Sequence, residues 1–160
     1  ALQRTLDGSG ERLLYLFGPD GCGRSHLLLG LCAAAEARGL HGAYLPLAEH
    51  RTLAPDMLDG LEGLDLITID DVHRIAQQAD WEAALFALFN RCRDRGTRLL
   101  FSADRGPASL PLDLPDLRSR LAWGLTLSVQ PLDDAGRLAL LRSLAGRAGP
   151  APLGGVLPAG

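Results

Sequence analysis

A chain of 160 residues has the length of one ordinary domain, enough to bury roughly two-thirds of its unfolded surface in a single core. Its 47% hydrophobic and 22% charged residues exclude a disordered or fibrous protein, and a net charge of −3 offers no global attraction to nucleic acid, so direct DNA binding is disfavoured. No apolar run reaches the length of a membrane span and residues 1–12 lack the apolar stretch of a secretory signal, which makes a cytoplasmic location with no membrane partner the simplest expectation.

The run Leu13-Leu14-Tyr15-Leu16-Phe17 is continuously apolar, as a parallel strand covered on both faces would be, and it stops at Gly18. From Ser25 onward Leu27, Leu28, Leu31, Cys32 and Ala35 recur at helical spacing, with Gly39 as a stop. Residues 43–45 form a short second strand candidate and residues 64–69 a third, closed by the acid pair Asp70-Asp71. Residues 81–93 carry Trp81, Leu85, Phe86 and Phe89 on one helical stripe. Residues 98–102 and 125–129 make a fourth and a fifth strand, and Asp133 is placed to cap a helix running to about residue 147. Strands alternating with helices require an open, mostly parallel sheet, so the fold class is α/β. One domain is expected over residues 1–148, and the Pro/Gly-rich residues 149–160, without periodicity, read as a loose or truncated tail.

Cys22, Cys32 and Cys92 are odd in number and show no CxxC spacing, so they read as small buried hydrophobes in a reducing compartment. His26, His41, His50 and His73 have no metal-ligand spacing; His26 and His73 are expected beside the loops described next, as packing or hydrogen-bonding residues. Trp81, Phe86 and Trp123 are expected in the core, because no basic interleaving marks them as base-stacking platforms.

The segment Gly18-Pro19-Asp20-Gly21-Cys22-Gly23-Arg24-Ser25, followed by His26, has the spacing of a Walker A loop between a buried strand and a helix. Glycines there turn backbone N–H groups toward phosphate oxygens, the helix N-terminus adds its positive end, and Ser25 can ligate magnesium. The loop therefore suits an anionic polyphosphate with Mg2+. Arg24 stands where the motif has lysine, a planar fork in place of a point charge, so binding can persist while hydrolysis suffers. All 16 basic residues of the chain are arginine, which offers a compositional explanation for the same substitution. The strand 66–69 ending in Asp70-Asp71 reads as a Walker B strand: Asp70 on the metal side with Ser25, and Asp71 as candidate base, one methylene shorter than the usual glutamate. Standing alone, it would equally read as a strand ending in an acidic helix cap.

Gly23-Arg24-Ser25-His26-Leu27, Ile69-Asp70-Asp71-Val72-His73, Ser102-Ala103-Asp104-Arg105 and Arg118-Ser119-Arg120-Leu121-Ala122-Trp123-Gly124-Leu125 follow one another as in the DnaA family of AAA+ proteins, which the chain resembles over about residues 11–148. The Gly-Arg-Ser-His-Leu form of the loop is similar to the branch of regulatory inactivators of DnaA, the Hda branch. The resemblance implies a P-loop NTPase of AAA+ type, a three-layer sandwich on a parallel five-stranded sheet, with the helical lid largely missing. It implies Asp104 as the sensor 1 position, Arg120 as an arginine finger acting on a neighbouring subunit's nucleotide, and Arg118 as a possible second contact. It also implies self-association, ATP-bound DnaA as partner, and the DNA polymerase sliding clamp, which would bind a segment that residues 1–6 do not resemble. The function so implied is stimulation of ATP hydrolysis by DnaA, a negative control of initiation in which the chain's own ATPase is weak. The alternative is an ATP-hydrolysing initiator or helicase loader acting on origin DNA. A plain nucleotide-binding scaffold is the blandest reading, with both arginines as solvated surface charges.

Overall fold

The computed structural model describes residues 12–19 and 23–129. Along them run β1 (Leu13–Phe17), α1 (Arg24–Ala37), β2 (Gly42–Pro46), β3 (Leu66–Asp70), α2 (Ala79–Arg95), β4 (Arg98–Ala103), α3 (Pro115–Leu121) and β5 (Leu125–Ser128). The strands are parallel and ordered β2-β3-β4-β1-β5, with Leu14 opposite both Leu100 and Leu125 and Ile67 opposite both Ala43 and Leu99. Parallel neighbours need long crossovers, and the helices supply them on both faces of the sheet.

The period of two along each strand sorts the core into two layers. Leu14 and Leu16 of β1, Leu66 of β3 and Leu100 of β4 pack under Leu27, Leu28 and Leu31 of α1. Leu13 and Tyr15, Ile67 and Ile69, and Leu99 and Phe101 face the other way, against Trp81, Leu85 and Leu88 of α2 and Leu117 and Leu121 of α3. Each such leucine taken fully out of water contributes about 1.5–3 kcal/mol. This two-sided demand is why β1 reads as an unbroken apolar run and β3 as one interrupted by Thr68, and the expected α/β sandwich with five parallel strands is the observed one.

The boundaries differ from the sequence expectation where tertiary contacts intervene. β3 begins at Leu66, two residues later than expected, because Asp65 N–H bonds His41 O at 2.9 Å and its carboxylate accepts His41 N–H at 2.8 Å, which fixes the turn before the strand. α2 starts at Ala79 and runs to Arg95, longer than the expected 81–93, ending where Gly96 takes a left-handed conformation. α3 and the short 3-10 turns between β2 and β3 have too few residues to show a period. Trp123 is not in the core: it is 53% exposed, in the turn between α3 and β5, whereas Trp81 is 3% exposed. The expected helix at 133–147, the tail and residues 1–11 lie outside the described residues.

Gly124 explains the exposure of its neighbour. A Cβ there would stand 2.7 Å from Leu13 Cβ and closer still to the Leu13 carbonyl oxygen, so only glycine lets the chain enter β5 against β1, and Trp123 is left on the rim. Gly124→Ala is expected to destabilise the fold by about 1–3 kcal/mol. Urea unfolding checks this, and an unchanged midpoint would contradict it.

Candidate functional site

β1, β3 and β4 end on the same edge of the sheet, and in open parallel sheets ligands bind beyond the carboxyl ends of the strands. Gly18 follows β1 there, with its N–H on Ala103 O at 3.3 Å. Gly23, at φ +95, leads into the 14-residue α1, whose first turn holds Arg24, Ser25 and His26. The positive end of the α1 dipole faces this edge. Pro19 is exposed beside Gly18. Asp20, Gly21 and Cys22 lie outside the described residues. Ser25 is exposed, and so is His26, which lies beside the loop as expected but not in the core, where Leu27 and Leu28 take the buried face of the turn.

Asp70 ends β3 with only 2% of its surface exposed. Three hydroxyls from three elements donate to it: Ser25 Oγ and Tyr44 OH to Oδ2, each at 2.5 Å, and Ser102 Oγ to Oδ1. Such short bonds are typical of a carboxylate accepting from hydroxyls. Burial, and then donation to Asp70, push the Tyr44 phenol well above the usual tyrosine range. Ser102 Oγ, fully buried on β4, also accepts the Asp71 N–H at 2.8 Å. That bond helps hold Asp71 in a left-handed conformation, φ +58 and ψ +52, which is uncommon for a residue other than glycine.

In that conformation the Asp71 carboxylate meets Arg24. Arg24 Nη2 donates to Asp71 Oδ1 at 3.0 Å and Nη1 donates to Gly18 O, so the two arms of one guanidinium tie the glycine loop to the end of β3. The two side chains are 8% and 17% exposed, so solvent screens this pair less than a surface ion pair.

Asp104 follows β4. Its carboxylate accepts Arg105 Nε at 2.7 Å and Nη2 at 2.9 Å, and that bonding holds its pKa below the usual carboxylate range. Its N–H donates to His73 Nδ1 at 3.2 Å. Nδ1 is therefore an acceptor, and its 3.7 Å approach to Asp104 Oδ1 is no ion pair while the ring is neutral. Burial dominates and holds the His73 pKa below 6.5 despite the attraction of Asp104 and Asp71. Tyr15 OH donates to Arg105 O at 2.7 Å and pins the strap after β4.

The structure thus brings together Gly18, Arg24, Ser25, Asp70, Asp71 and Asp104. Tyr44, Ser102 and Tyr15 join them without having been singled out as site residues. Ser102 stood beside a recognised motif, but Tyr44 and Tyr15 reach the site across strands and leave no local signal. Arg120 is elsewhere: its guanidinium carbon lies 4.1 Å from the Trp123 ring centre and 5.5 Å from that of Phe86, and its Nε is shielded without a hydrogen-bond partner. Arg118 donates to Leu110 O at 3.1 Å and Leu112 O at 3.4 Å, bonds that hold the loop before α3. A cavity of about 210 Å³ between Leu13, Leu99, Phe89 and Trp123 opens at the amino ends of β1 and β4, the opposite edge from the phosphate-binding candidates. Burial raises the thiol pKa values of Cys32 and Cys92, the latter to about 12, as for inert core thiols.

The family model of the bacterial DnaA ATPase domain matches residues 8–128. The structure of AMPPCP-bound DnaA from Aquifex aeolicus aligns with a TM-score of 0.72 at 22% identity, covering 89% of this chain and 48% of that one. Domain III of the Thermotoga maritima replication initiation protein DnaA aligns at 0.68 with 20% identity, covering 98% and 72%. Protein NMB1076 from Neisseria meningitidis aligns at 0.57 with 29% identity, covering 75% and 76%. The chain spans about half the length of the Aquifex DnaA chain, and at these identities the two DnaA structures speak for the fold alone.

His73 gives the site a pH signature. Its folded pKa lies below 6.5, so the unfolded chain takes up the proton first; the stability this contributes is complete above 6.5 and is lost as pH falls through the lower folded value. Denaturant midpoints should decline over that window, and His73→Gln should flatten the decline. A ring resonance titrating above 6.5 would contradict the assignment.

Proposed function

The chain belongs to the bacterial DnaA ATPase-domain family, and from that premise we propose that it is a nucleotide-binding regulator of replication initiation, of the regulatory-inactivator (Hda) kind, which stimulates ATP hydrolysis by DnaA. The observation that carries this reading is the Arg24–Asp71 pair at 3.0 Å: the carboxylate that would activate water is already engaged by the chain's own loop arginine. An initiator or loader that hydrolyses its own nucleotide would need Asp71 free to orient an attacking water. The same pair therefore weighs against that alternative.

On this reading ADP or ATP sits at the carboxyl ends of the strands, its phosphates on Gly18 to Ser25 and the N-terminus of α1, with Arg24 as the cationic contact. The AMPPCP bound to the Aquifex DnaA supports a nucleotide of that class. Among the described residues no group of three or more His, Cys, Asp or Glu could hold a metal alone. Ser25 and Asp70, side by side, fit a magnesium ion that takes its other ligands from phosphate and water. Such an ion would neutralise charge on the phosphates. Asp104, its carboxylate turned to Arg105, would act on the nucleotide through its neighbours or a water rather than on a phosphate of like charge.

Arg120 serves a neighbour's nucleotide. An arginine finger supplied in trans neutralises charge developing on the transferred phosphoryl group, and the Arg120 guanidinium rests against aromatic rings, which leave its in-plane Nη donors uncommitted. The neighbour would be ATP-bound DnaA, with the sliding clamp on DNA as the meeting place.

ATP hydrolysis by DnaA, with clamp loaded on DNA, should rise when the protein is added, the protein alone should turn over little, and Arg120→Ala should return the rate to that of DnaA alone. Turnover by the protein alone, with no effect on DnaA, would instead establish the initiator or loader. Arg24→Ala should weaken ADP binding by about tenfold or more, the scale of a lost bond between charged groups. Calorimetric titration checks this, and unchanged affinity would remove Arg24 from the site.

A further inference from the structure

The geometry points to Trp123 as the positioning residue of Arg120: its indole face orients the guanidinium while leaving the two Nη groups of the fork available to an anion on a neighbouring molecule. This rests on the reading of Arg120 as a finger acting in trans and adds the part that holds it.

An arginine side chain is long and rich in rotamers, so a finger that must meet a phosphoryl group in one orientation has to be restrained beforehand. A carboxylate would restrain it but would occupy its donors and cancel its charge. A ring face does neither, because stacking uses the face of the guanidinium and its N–H donors lie in the plane. Arg120 is restrained in this second way. Its guanidinium carbon stands 4.1 Å from the centre of the Trp123 ring, with Phe86 at 5.5 Å, and no carboxylate or carbonyl among the described residues accepts from it.

The two rings play different parts. Phe86 sits on α2 and packs against the core, so it forms a fixed wall. Trp123 is 53% exposed, an arrangement that packing of the indole does not explain. It is nonetheless held in place. Its ring and that of Phe89 meet in a T-shaped contact with centres 5.9 Å apart, and its backbone N–H donates to Arg120 O at 3.0 Å. The following Gly124 locks the turn against β1. A large exposed ring fixed from below and stacked above on an arginine is suited to aiming that arginine outward.

The test uses the full chain with its partner ATPase and reads two quantities, the maximal stimulated rate and the concentration of this protein that gives half of it. Trp123→Ala should lower the maximal rate by about two- to fivefold, the scale of a cation–π contact at an exposed ring, while ADP affinity and thermal midpoint stay near those of the parent. Trp123→Phe, which keeps a ring face, should recover most of the rate. Trp123→Leu, which keeps apolar bulk without one, should behave like the alanine variant.

A loss confined to the half-saturating concentration would make Trp123 a docking residue and overturn the inference, as would a leucine variant as active as the parent. If Arg120→Ala abolishes stimulation while Trp123→Ala retains it, the positioning role fails and the finger stands. If Arg120→Ala leaves stimulation intact, the finger reading fails and the positioning role falls with it.

Discussion

Asp70 is a carboxylate with 2% exposure, and the hydroxyls that make this tolerable organise the whole carboxyl edge of the sheet. Leaving a buried charge uncompensated costs several kcal/mol, so its acceptor sites have to be filled. They are filled by Ser25 from α1, Tyr44 from β2 and Ser102 from β4, which fastens three neighbouring elements to the end of β3. Ser102 then passes the constraint on, because the same oxygen accepts the Asp71 N–H and helps keep that residue left-handed. The direction of the Asp71 side chain, and hence its meeting with Arg24, follows from how Asp70 is satisfied.

That chain of contacts gives Arg24 a meaning the motif alone does not. A lysine at this place presents a single point charge, whereas the fork of an arginine reaches the Gly18 carbonyl with one arm and Asp71 with the other. The phosphate loop and the candidate base are joined through one buried cation. On the proposed reading, charge that binds phosphate and charge that would drive hydrolysis are thereby coupled, as in a protein that holds a nucleotide and leaves turnover to a partner.

The opposite side of the same problem is seen at Arg120. Where Arg24 is neutralised within the chain, Arg120 keeps its charge and is oriented by aromatic faces at the rim of the α2 layer. One arginine is held by a carboxylate of its own chain and the other by aromatic rings, and the difference lies in what stands beside each.

What the sequence by itself determined is what local pattern encodes: an unbroken apolar run for β1 and a largely apolar one for β3, helical spacing for α1 and α2, and the glycine loop and acid pair that each sit at the end of a strand. The burial of Cys32, Cys92 and Trp81 was legible in the same way. What only the tertiary structure decided involves residues far apart in the chain. The order β2-β3-β4-β1-β5 carries Tyr44 and Ser102 to Asp70, 26 and 32 residues away, and no periodicity marks a side chain whose partner sits on the next strand. Trp123 was misplaced for a related reason: the close approach of Gly124 to β1 left it on the rim. Local spacing fixes which elements form, but the direction a polar or aromatic side chain takes depends on what the packed sheet leaves beside it.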